Sequence, residues 1–554
     1  MRYIKINAAD NVAVALTDLK AGESAYGIEL ATDVPAGHKF TLCPLSEGQD
    51  VIKYGFPIGH LTTSVPAGTH IDHNHIRTNL SGLLEYEYAP HTSDGGSAPI
   101  TPPGSLPVAG LRRTGSCDVA GNEASCAIAP KGTCRPRHGS GGTMQRSGMV
   151  GSEGTSDSPW GNKHGCEGQP ATFKGFRRAD GNIGIRNQIW VIPTVGCVNG
   201  IAQTIAERFK AEIAGTEGSV DAVVAFPHNY GCSQLGRDHE MTANLLAALC
   251  RHPNAGGVLV VALGCENNTL ESFKARLGDV SGLNVRFMKA QDPGDEYARG
   301  VELLKELDAA RPKERVEVPV SELVVGLKCG GSDGFSGLTA NPLVGRFSDW
   351  LVARGGSTVL TEVPEMFGAE TLLMKRCRTR NVFDKCVKMI NDFKDYYTSH
   401  GQVCYENPSP GNKAGGITTL EDKSLGCVQK GGSAPVEDVL DYGECVKAHG
   451  LSLMTGPGND LVASTVLAAA GCHLILFTTG RGTPFGCVVP TLKIATNDTL
   501  ATNKPNWIDW NAMSNPDTEA FAAKVMRIAS GEELAKNEEN GAQGIAIFKG
   551  GVTL

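Results

Sequence analysis

Between residue 171 and the C-terminus, five apolar runs recur, and each one ends in a polar loop that carries glycine. Trp190-Val191-Ile192 leads to Gly196-Cys197-Val198-Asn199, and Ala222–Phe226 leads to His228–Ser233. Val258–Leu263 leads to Gly264–Asn268, Leu323–Leu327 to Cys329–Asp333, and Leu474–Phe477 to Thr479–Thr483. Amphipathic stretches such as 199–212 and 239–251 follow several of these runs. Continuous apolar strands alternating with helices specify a parallel α/β sheet covered on both faces. Ligands of such sheets bind at the carboxyl ends of the strands. The Cys, His, Glu, Asn, Asp and Arg residues of the five loops are therefore expected to converge, which predicts an enzyme. A charged, proline-bearing stretch near 305–322 separates two such blocks, giving lobes at 171–318 and 319–554.

The first 88 residues differ. Short β-rich runs, Tyr3–Ile6 and Val12–Leu16, are broken by turn signals at Ala21-Gly22, Pro35-Ala36-Gly37 and Pro66-Ala67-Gly68, predicting a small β domain. Residues 89–170 are rich in Gly, Ser, Pro and Thr and have the composition of a loosely ordered or disordered linker. The cysteines within that stretch (Cys117, Cys126, Cys134 and Cys166) read as incidental thiols of a solvated segment rather than a metal site. A chain of 554 residues needs more than one core. Its net charge of −8, with no basic stretch to offset it, argues against nucleic acid as a partner. No apolar run is long enough for a signal peptide or a membrane span. With 17 cysteines and no C-x-x-C pair, reduced thiols are expected, and with them a cytoplasmic location.

No P-loop, G-x-S-x-G elbow, H-E-x-x-H or dinucleotide fingerprint is present, so the chemistry has to be read from the loops. Cys197, Cys232, Cys265 and Cys329 lie at strand ends beside glycines; as thiolates they could hold iron or an iron–sulfur cluster. The competing reading is packing, since free cysteine is among the most buried residue types. A second set is His38, Lys53, Tyr54, His70, Asp72, His73, His75 and Arg77. In an extended run His73 and His75 share a face, a pairing that suits a divalent metal; a solvated polar turn is the alternative. A third set is Glu362, Glu365, Asn407, Lys413, Glu421, Asp422 and Lys423, much of it in a Gly/Pro-rich stretch too long for a simple connector. Arg481 and Thr483, after the last apolar run, suit anion recognition.

Several of these segments carry a resemblance. Asn11–Leu16, Gly37–Lys39, Ile52–Gly55, Thr194–Ala202, Tyr230–Gly236, Leu263–Asn268, Thr361–Glu370, Glu406–Cys427 and Thr478–Gly486 resemble the altronate/galactarate dehydratase family. The resemblance runs the length of the chain except for the low-complexity segment. It implies a β-clip N-terminal domain of the SAF type followed by the α/β body. It also implies dependence on Fe(II), with Mn(II) as a substitute, and the dehydration of D-altronate to 2-dehydro-3-deoxy-D-gluconate. Galactarate dehydratase and sulfolactate sulfo-lyase share the architecture and stand as alternative activities. Asp72 and Asn74 occupy positions where relatives usually carry histidine, while His73 and His75 flank Asn74 here.

A 2,3-dihydroxy acid loses water by removal of the C2 proton and departure of the C3 hydroxyl, and the enol becomes a 2-keto acid. A divalent metal eases both steps as a Lewis acid, with a base and an acid beside it. The acid/base candidates are Glu266, Asp333, Glu362 and Lys413. Lys53, Arg77, Asn267, Lys423, Arg481 and Thr483 are candidates for holding the sugar acid. His38, His73, His75, Cys197, Cys232, Cys265 and Cys329 are the candidate metal ligands. The partner expected is a small sugar acid, with no membrane; a homo-oligomer is compatible. The rival from another class is a cysteine-ligated iron or iron–sulfur redox protein, against which the missing C-x-x-C spacing counts.

Overall fold

The computed structural model describes residues 2–88 and 171–551 apart from 217 and 219; the linker predicted at 89–170 lies outside the described residues. The N-terminal part is built from short antiparallel strands. One sheet runs Tyr3–Ile4, Val12–Ala15, Lys39–Thr41, His70–Ile71, and a second runs Asp50–Lys53, Phe56–Leu61, Ile76–Arg77. The predicted turns form at Gly22, Gly37 and Gly68, each with positive φ, which a residue without Cβ adopts at no steric cost. Ala13, Leu19, Leu30, Val34 and Phe40 make a small core of their own. Val51, Ile58, Leu61, Ile71 and Ile76 instead join the core of the second lobe. The β domain thus completes its packing only by docking.

The first lobe is a four-stranded parallel sheet in the order Val223–Ala225, Gln188–Pro193, Ala255–Ala262, Val285–Lys289. Successive residues of a strand face opposite sides, and the two sides have different partners. Ile189, Val191, Leu259 and Val261 pack on Ile205, Phe209 and Leu304 of the helices Asn199–Glu212 and Glu296–Ala310. Trp190, Ile192, Val258 and Val260 share a core with Val466, Ile475 and Phe477 of the second lobe. Part of the stretch expected to separate the lobes, Val316–Pro319, pairs antiparallel with Thr172–Arg177.

The second lobe is a seven-stranded parallel sheet. Its order is Val436–Leu440, Gly450–Met454, Ser357–Leu360, Val324–Cys329, Leu474–Thr479, Thr491–Ala495, Trp510–Asn511. The chain first builds outward from Val324–Cys329 on one side, then crosses to Leu474–Thr479 on the other. These two central strands therefore bound a switch point where their following loops diverge and leave a crevice. No helix among the described residues is long and apolar enough to cross a membrane.

Candidate active site

The β domain sits over that crevice, held by close backbone approach and a buried ion triplet. A Cβ on Gly334 would stand 1.9 Å from Gly37 O, and one on Gly416 2.3 Å from the same atom, so only glycine lets these loops meet. Beneath them Asp422 receives Lys39 Nζ at 2.8 Å and Lys53 Nζ at 2.9 Å, and all three side chains are at most 2% exposed. Burial is the largest influence on Lys39, and one carboxylate shared by two ammonium groups leaves it pushed down to about 8. Lys53, a candidate for holding substrate, is committed here to Asp422.

The docking carries a histidine cluster to the crevice. His38 Nε2 lies 3.2 Å from the Ala414 carbonyl, and His38 Nδ1 lies 2.9 Å from His70 Nε2. A carbonyl only accepts, so His38 carries its proton on Nε2. Burial, followed for His70 by the neighbouring His38, pushes both imidazoles down, His70 to about 4, so both are neutral near pH 7. Neutral His38 then accepts at Nδ1 from His70 Nε2, leaving the His70 Nδ1 lone pair free. His75 Nδ1 lies 2.8 Å from Asp72 Oδ1, the carboxylate–imidazole pairing that aims the other ring nitrogen at a metal. His73 Nδ1 is buried with no hydrogen-bond partner among the described residues. The donors of His70, His73 and His75 thus suit a divalent iron by their chemistry, whereas both nitrogens of His38 are engaged. These three nitrogens do not lie within 4.8 Å of one another; among the described residues only the ligand atoms of Cys329, Glu365 and Cys427 do so as a trio of His, Cys, Asp or Glu.

On the opposite wall, the short helix Pro410–Ala414 is fixed by its capping box at Ser409 and Asn412, and Asn412 Nδ2 donates to Ser332 O at 2.7 Å. Arg481, exposed on the loop after Leu474–Thr479, donates Nη1 to Gly411 O at 3.3 Å. Lys413, half-buried, makes no ion pair with a described residue. Two cations therefore stand on the crevice wall that His38 touches from the other side. Ser332, whose Oγ is buried without a partner, lines a small cavity with Asp333, Asn341 and Lys423.

Behind this wall lies a buried charge network. Glu362, in the left-handed region at φ 71°, turns its carboxylate back to accept from Cys329 N at 2.9 Å, Lys430 Nζ at 3.3 Å and Lys328 Nζ. Lys328 reaches Asp460 at 3.0 Å. Glu365 receives Lys423 at 2.8 Å and the thiols of Cys329 and Cys427 at 3.2 Å each. Burial, with Glu365 beside it, pushes Glu362 up; against burial, Lys423 holds Glu365 down at about 2. Neighbouring carboxyls driven apart in this way are the pattern of an acid/base pair. Lys430 Nζ, 2.8 Å from Cys329 Sγ, supplies a positive charge to one member of the Cys329–Glu365–Cys427 trio.

The other candidates are dispersed. Asp333 is buried and pushed up by that burial; it accepts from Thr496 Oγ1, Asn497 Nδ2, Ser336 Oγ and Phe335 N, a pinned position at the crevice floor. Lys423 is bonded to Glu365 and, at 3.2 Å, to Asn407. Arg77 is exposed on the edge of the β domain, and Thr483 Oγ1 accepts from Phe485 N. Glu266 and Asn267 lie in the first lobe with Cys197, Cys232 and Cys265. Burial opposes ionisation of Glu266, but the Gly264 N–H and the Thr194 hydroxyl outweigh it and hold the carboxyl low. Ser332 and Asn412 are contributors that the sequence reading did not single out, and His70, placed there in the polar set, was not among the candidate metal ligands or bases. His70 sat in the polar run, but its free nitrogen depends on a partner 32 residues away.

Three family models match the chain in sequence order. They are the altronate/galactarate dehydratase SAF domain over residues 1–79, the second domain of D-galactarate dehydratase/altronate hydrolase over 175–310, and the C-terminal domain of D-galactarate/altronate dehydratase over 320–553. The chain is 48% identical to an altronate dehydratase of Bacillus subtilis (strain 168), over all of this chain and 99% of the relative. It is 47% identical to an altronate dehydratase of Escherichia coli (strain K12) over the whole of both chains. A galactarate dehydratase (L-threo-forming) of the latter organism is 30% identical, over 99% of this chain and 96% of the relative.

Proposed function

The chain belongs to the altronate/galactarate dehydratase family, and on that footing we propose that it is a hydro-lyase converting D-altronate to 2-dehydro-3-deoxy-D-gluconate and water in the crevice beneath the β domain. The observation that carries the siting is the pinning of the helix Pro410–Ala414 from both sides, by Arg481 at Gly411 and by His38 at Ala414. That arrangement brings the His38–His70 pair, Lys413 and Arg481 to one short helix near the sheet switch point. The altronate dehydratases stand at 47–48% identity against 30% for the galactarate dehydratase, which favours the hexonate over the hexarate.

Arg481 and Lys413 hold the substrate carboxylate and orient the C2–H and the C3 hydroxyl toward the histidines. His70, neutral and with its Nδ1 lone pair free, is suited to take the C2 proton, and His38 steadies it through the Nδ1···Nε2 bond. His73 and His75, the latter oriented by Asp72, would hold a divalent iron, for which Mn(II) can substitute. When bound, such an ion acts as a Lewis acid on the substrate carboxylate and hydroxyl. Ser332 offers its unpartnered hydroxyl to the polyol, and the proton His70 takes from C2 is returned to the departing C3 oxygen, so that it leaves as water with no net proton exchanged. The reaction belongs to the cytoplasm, in keeping with thirteen cysteines that form no disulfide among the described residues.

The test is keto-acid formation by anaerobic, Fe(II)-loaded protein offered D-altronate and galactarate side by side. The proposal expects turnover of D-altronate with galactarate far slower. Preference for galactarate, or turnover of neither with iron bound, would overturn it.

A further inference from the structure

The thiols of Cys197, Cys232 and Cys265 belong to a second, separate gathering. Each is the second residue of a Gly-Cys pair in a loop that follows a parallel strand of the first lobe, after Gln188–Pro193, Val223–Ala225 and Ala255–Ala262 respectively. Those three strands are neighbours, and the chain reverses its direction of build between the first and the third, so the loops meet at this sheet's own switch point.

The meeting is braced atom by atom. Gly196 N donates to Tyr230 O at 2.8 Å, Asn268 N to Gly231 O at 2.9 Å, and Asn268 Nδ2 to Thr194 O at 3.1 Å. A Cβ on Gly231 would lie 2.0 Å from Thr194 O, and one on Gly196 2.7 Å from His228 O, so the glycines before two of the cysteines are what allow the loops to close on each other. Asn267 bridges back to the second loop, its Oδ1 accepting from Ser233 N at 2.9 Å and from Cys232 Sγ at 3.3 Å. Gln291 Nε2 donates to Cys265 Sγ at 3.6 Å.

A protein that merely packs its thiols buries them, as this one buries Cys250, Cys472 and Cys487; these three are exposed. Three soft donors on one rigid, open face suit iron bound through sulfur. Their spacing argues against a single ion, because among the described residues no trio of ligand atoms in this region falls within 4.8 Å. A polynuclear group does not require its cysteine sulfurs to lie that close. Hydrogen bonds to the cysteine sulfurs, such as that from Gln291, are the feature by which proteins tune such groups.

We propose that Cys197, Cys232 and Cys265 hold a cubane iron–sulfur cluster, one iron of which takes no cysteine from this loop set and stays open to a small oxygen ligand. Each thiol releases its proton on binding, and two ferrous ions, two ferric ions and four sulfides are supplied as such, so the cubane assembles with no change of oxidation state. The site is distinct from the crevice under the β domain and does not depend on the dehydration reading.

The experiment is anaerobic reconstitution of the full chain with equal amounts of ferrous and ferric iron, with and without sulfide, followed by visible absorption and assay of iron and acid-labile sulfide. The proposal expects a sulfide-dependent visible band with about four irons and four sulfides per chain beyond the iron taken up without sulfide. Cys197→Ser, Cys232→Ser and Cys265→Ser should each abolish the band while far-UV circular dichroism stays that of wild type; Cys43→Ser, an exposed thiol of the β domain, should keep it. If one of the three variants misfolds, protection of the same thiols from alkylation by the reconstituted cluster supplies the reading in wild type. A band that survives in the three variants, a single zinc ion in place of iron and sulfide, or no sulfide-dependent uptake overturns the proposal.

Discussion

Replacing Asp422 with Asn should uncouple the β domain from the second lobe. The substitution keeps the shape of the side chain and its contacts with Thr418 N and Oγ1, at 3.0 and 3.1 Å, but removes the carboxylate charge that Lys39 and Lys53 share. Breaking a buried ion pair by deleting one partner costs about 3–5 kcal/mol, because the remaining charge stays desolvated. Two ammonium groups lose their partner here, yet the cost need not double. Lys39, already pushed down to about 8, can shed its proton near neutral pH at a cost of about 1.4 kcal/mol per pH unit. Lys53 therefore dominates, and the expected loss at pH 7 remains about 3–5 kcal/mol. A sign follows for pH. In the variant the folded state binds the Lys39 proton less well than the unfolded chain, so its stability rises with pH, and the gap to wild type should narrow between pH 6 and pH 9. Urea unfolding of both proteins at the two pH values, with D-altronate turnover alongside, measures this. A loss under about 1 kcal/mol, or a gap that widens with pH, would refute the reasoning.

Three further outcomes are expected. Asp72→Ala should weaken ferrous-iron binding by about 10–100-fold, because it frees the His75 ring, whereas His60→Ala on the same domain should not; equilibrium dialysis reads both. His252 and His473 bridge the lobes through Cys472 O at 3.1 Å and Ile183 O at 2.7 Å, and burial pushes them down to about 3 and about 4. The unfolded chain takes up these protons from about pH 6.5 downward and the folded one does not, so stability is full above that pH and falls toward pH 4 by about 3 kcal/mol for each residue. A His252→Gln/His473→Gln variant should show a flatter urea-midpoint profile between pH 7 and pH 4.5. Lys430→Met should destabilise the fold by about 3 kcal/mol, because Glu362 and Cys329 lose a buried cation, and Glu362→Gln in the same chain should recover part of that loss.

Much of the α/β body could be read in advance because period and composition act locally. The apolar run Trp190–Ile192 lies inside Gln188–Pro193, Leu474–Phe477 opens Leu474–Thr479, and the amphipathic stretch 199–212 is the helix Asn199–Glu212. The turn glycines of the β domain were equally legible, since positive φ leaves few other residues. The partition of the site was not. Four strand-end cysteines look equivalent in sequence, yet Cys329 is buried beside Lys430 while Cys197, Cys232 and Cys265 face outward on another lobe. Lys53 and Lys413 are both lysines in polar surroundings, and only the docking of the β domain makes one a buried counter-ion, while the other has no ion partner among the described residues. Such assignments depend on contacts between residues hundreds of positions apart, such as Lys53 with Asp422, and no local pattern encodes them.

The central claim is that D-altronate is dehydrated in the crevice where His38 and Arg481 meet the helix Pro410–Ala414. Its most direct test is kcat/KM for D-altronate in anaerobic, Fe(II)-loaded Lys413→Met/Arg481→Ala protein against wild type, with thermal unfolding as the control. The account predicts a loss of about 1,000-fold or more at an unchanged melting temperature. Activity within tenfold of wild type would place the reaction elsewhere in the molecule and contradict it.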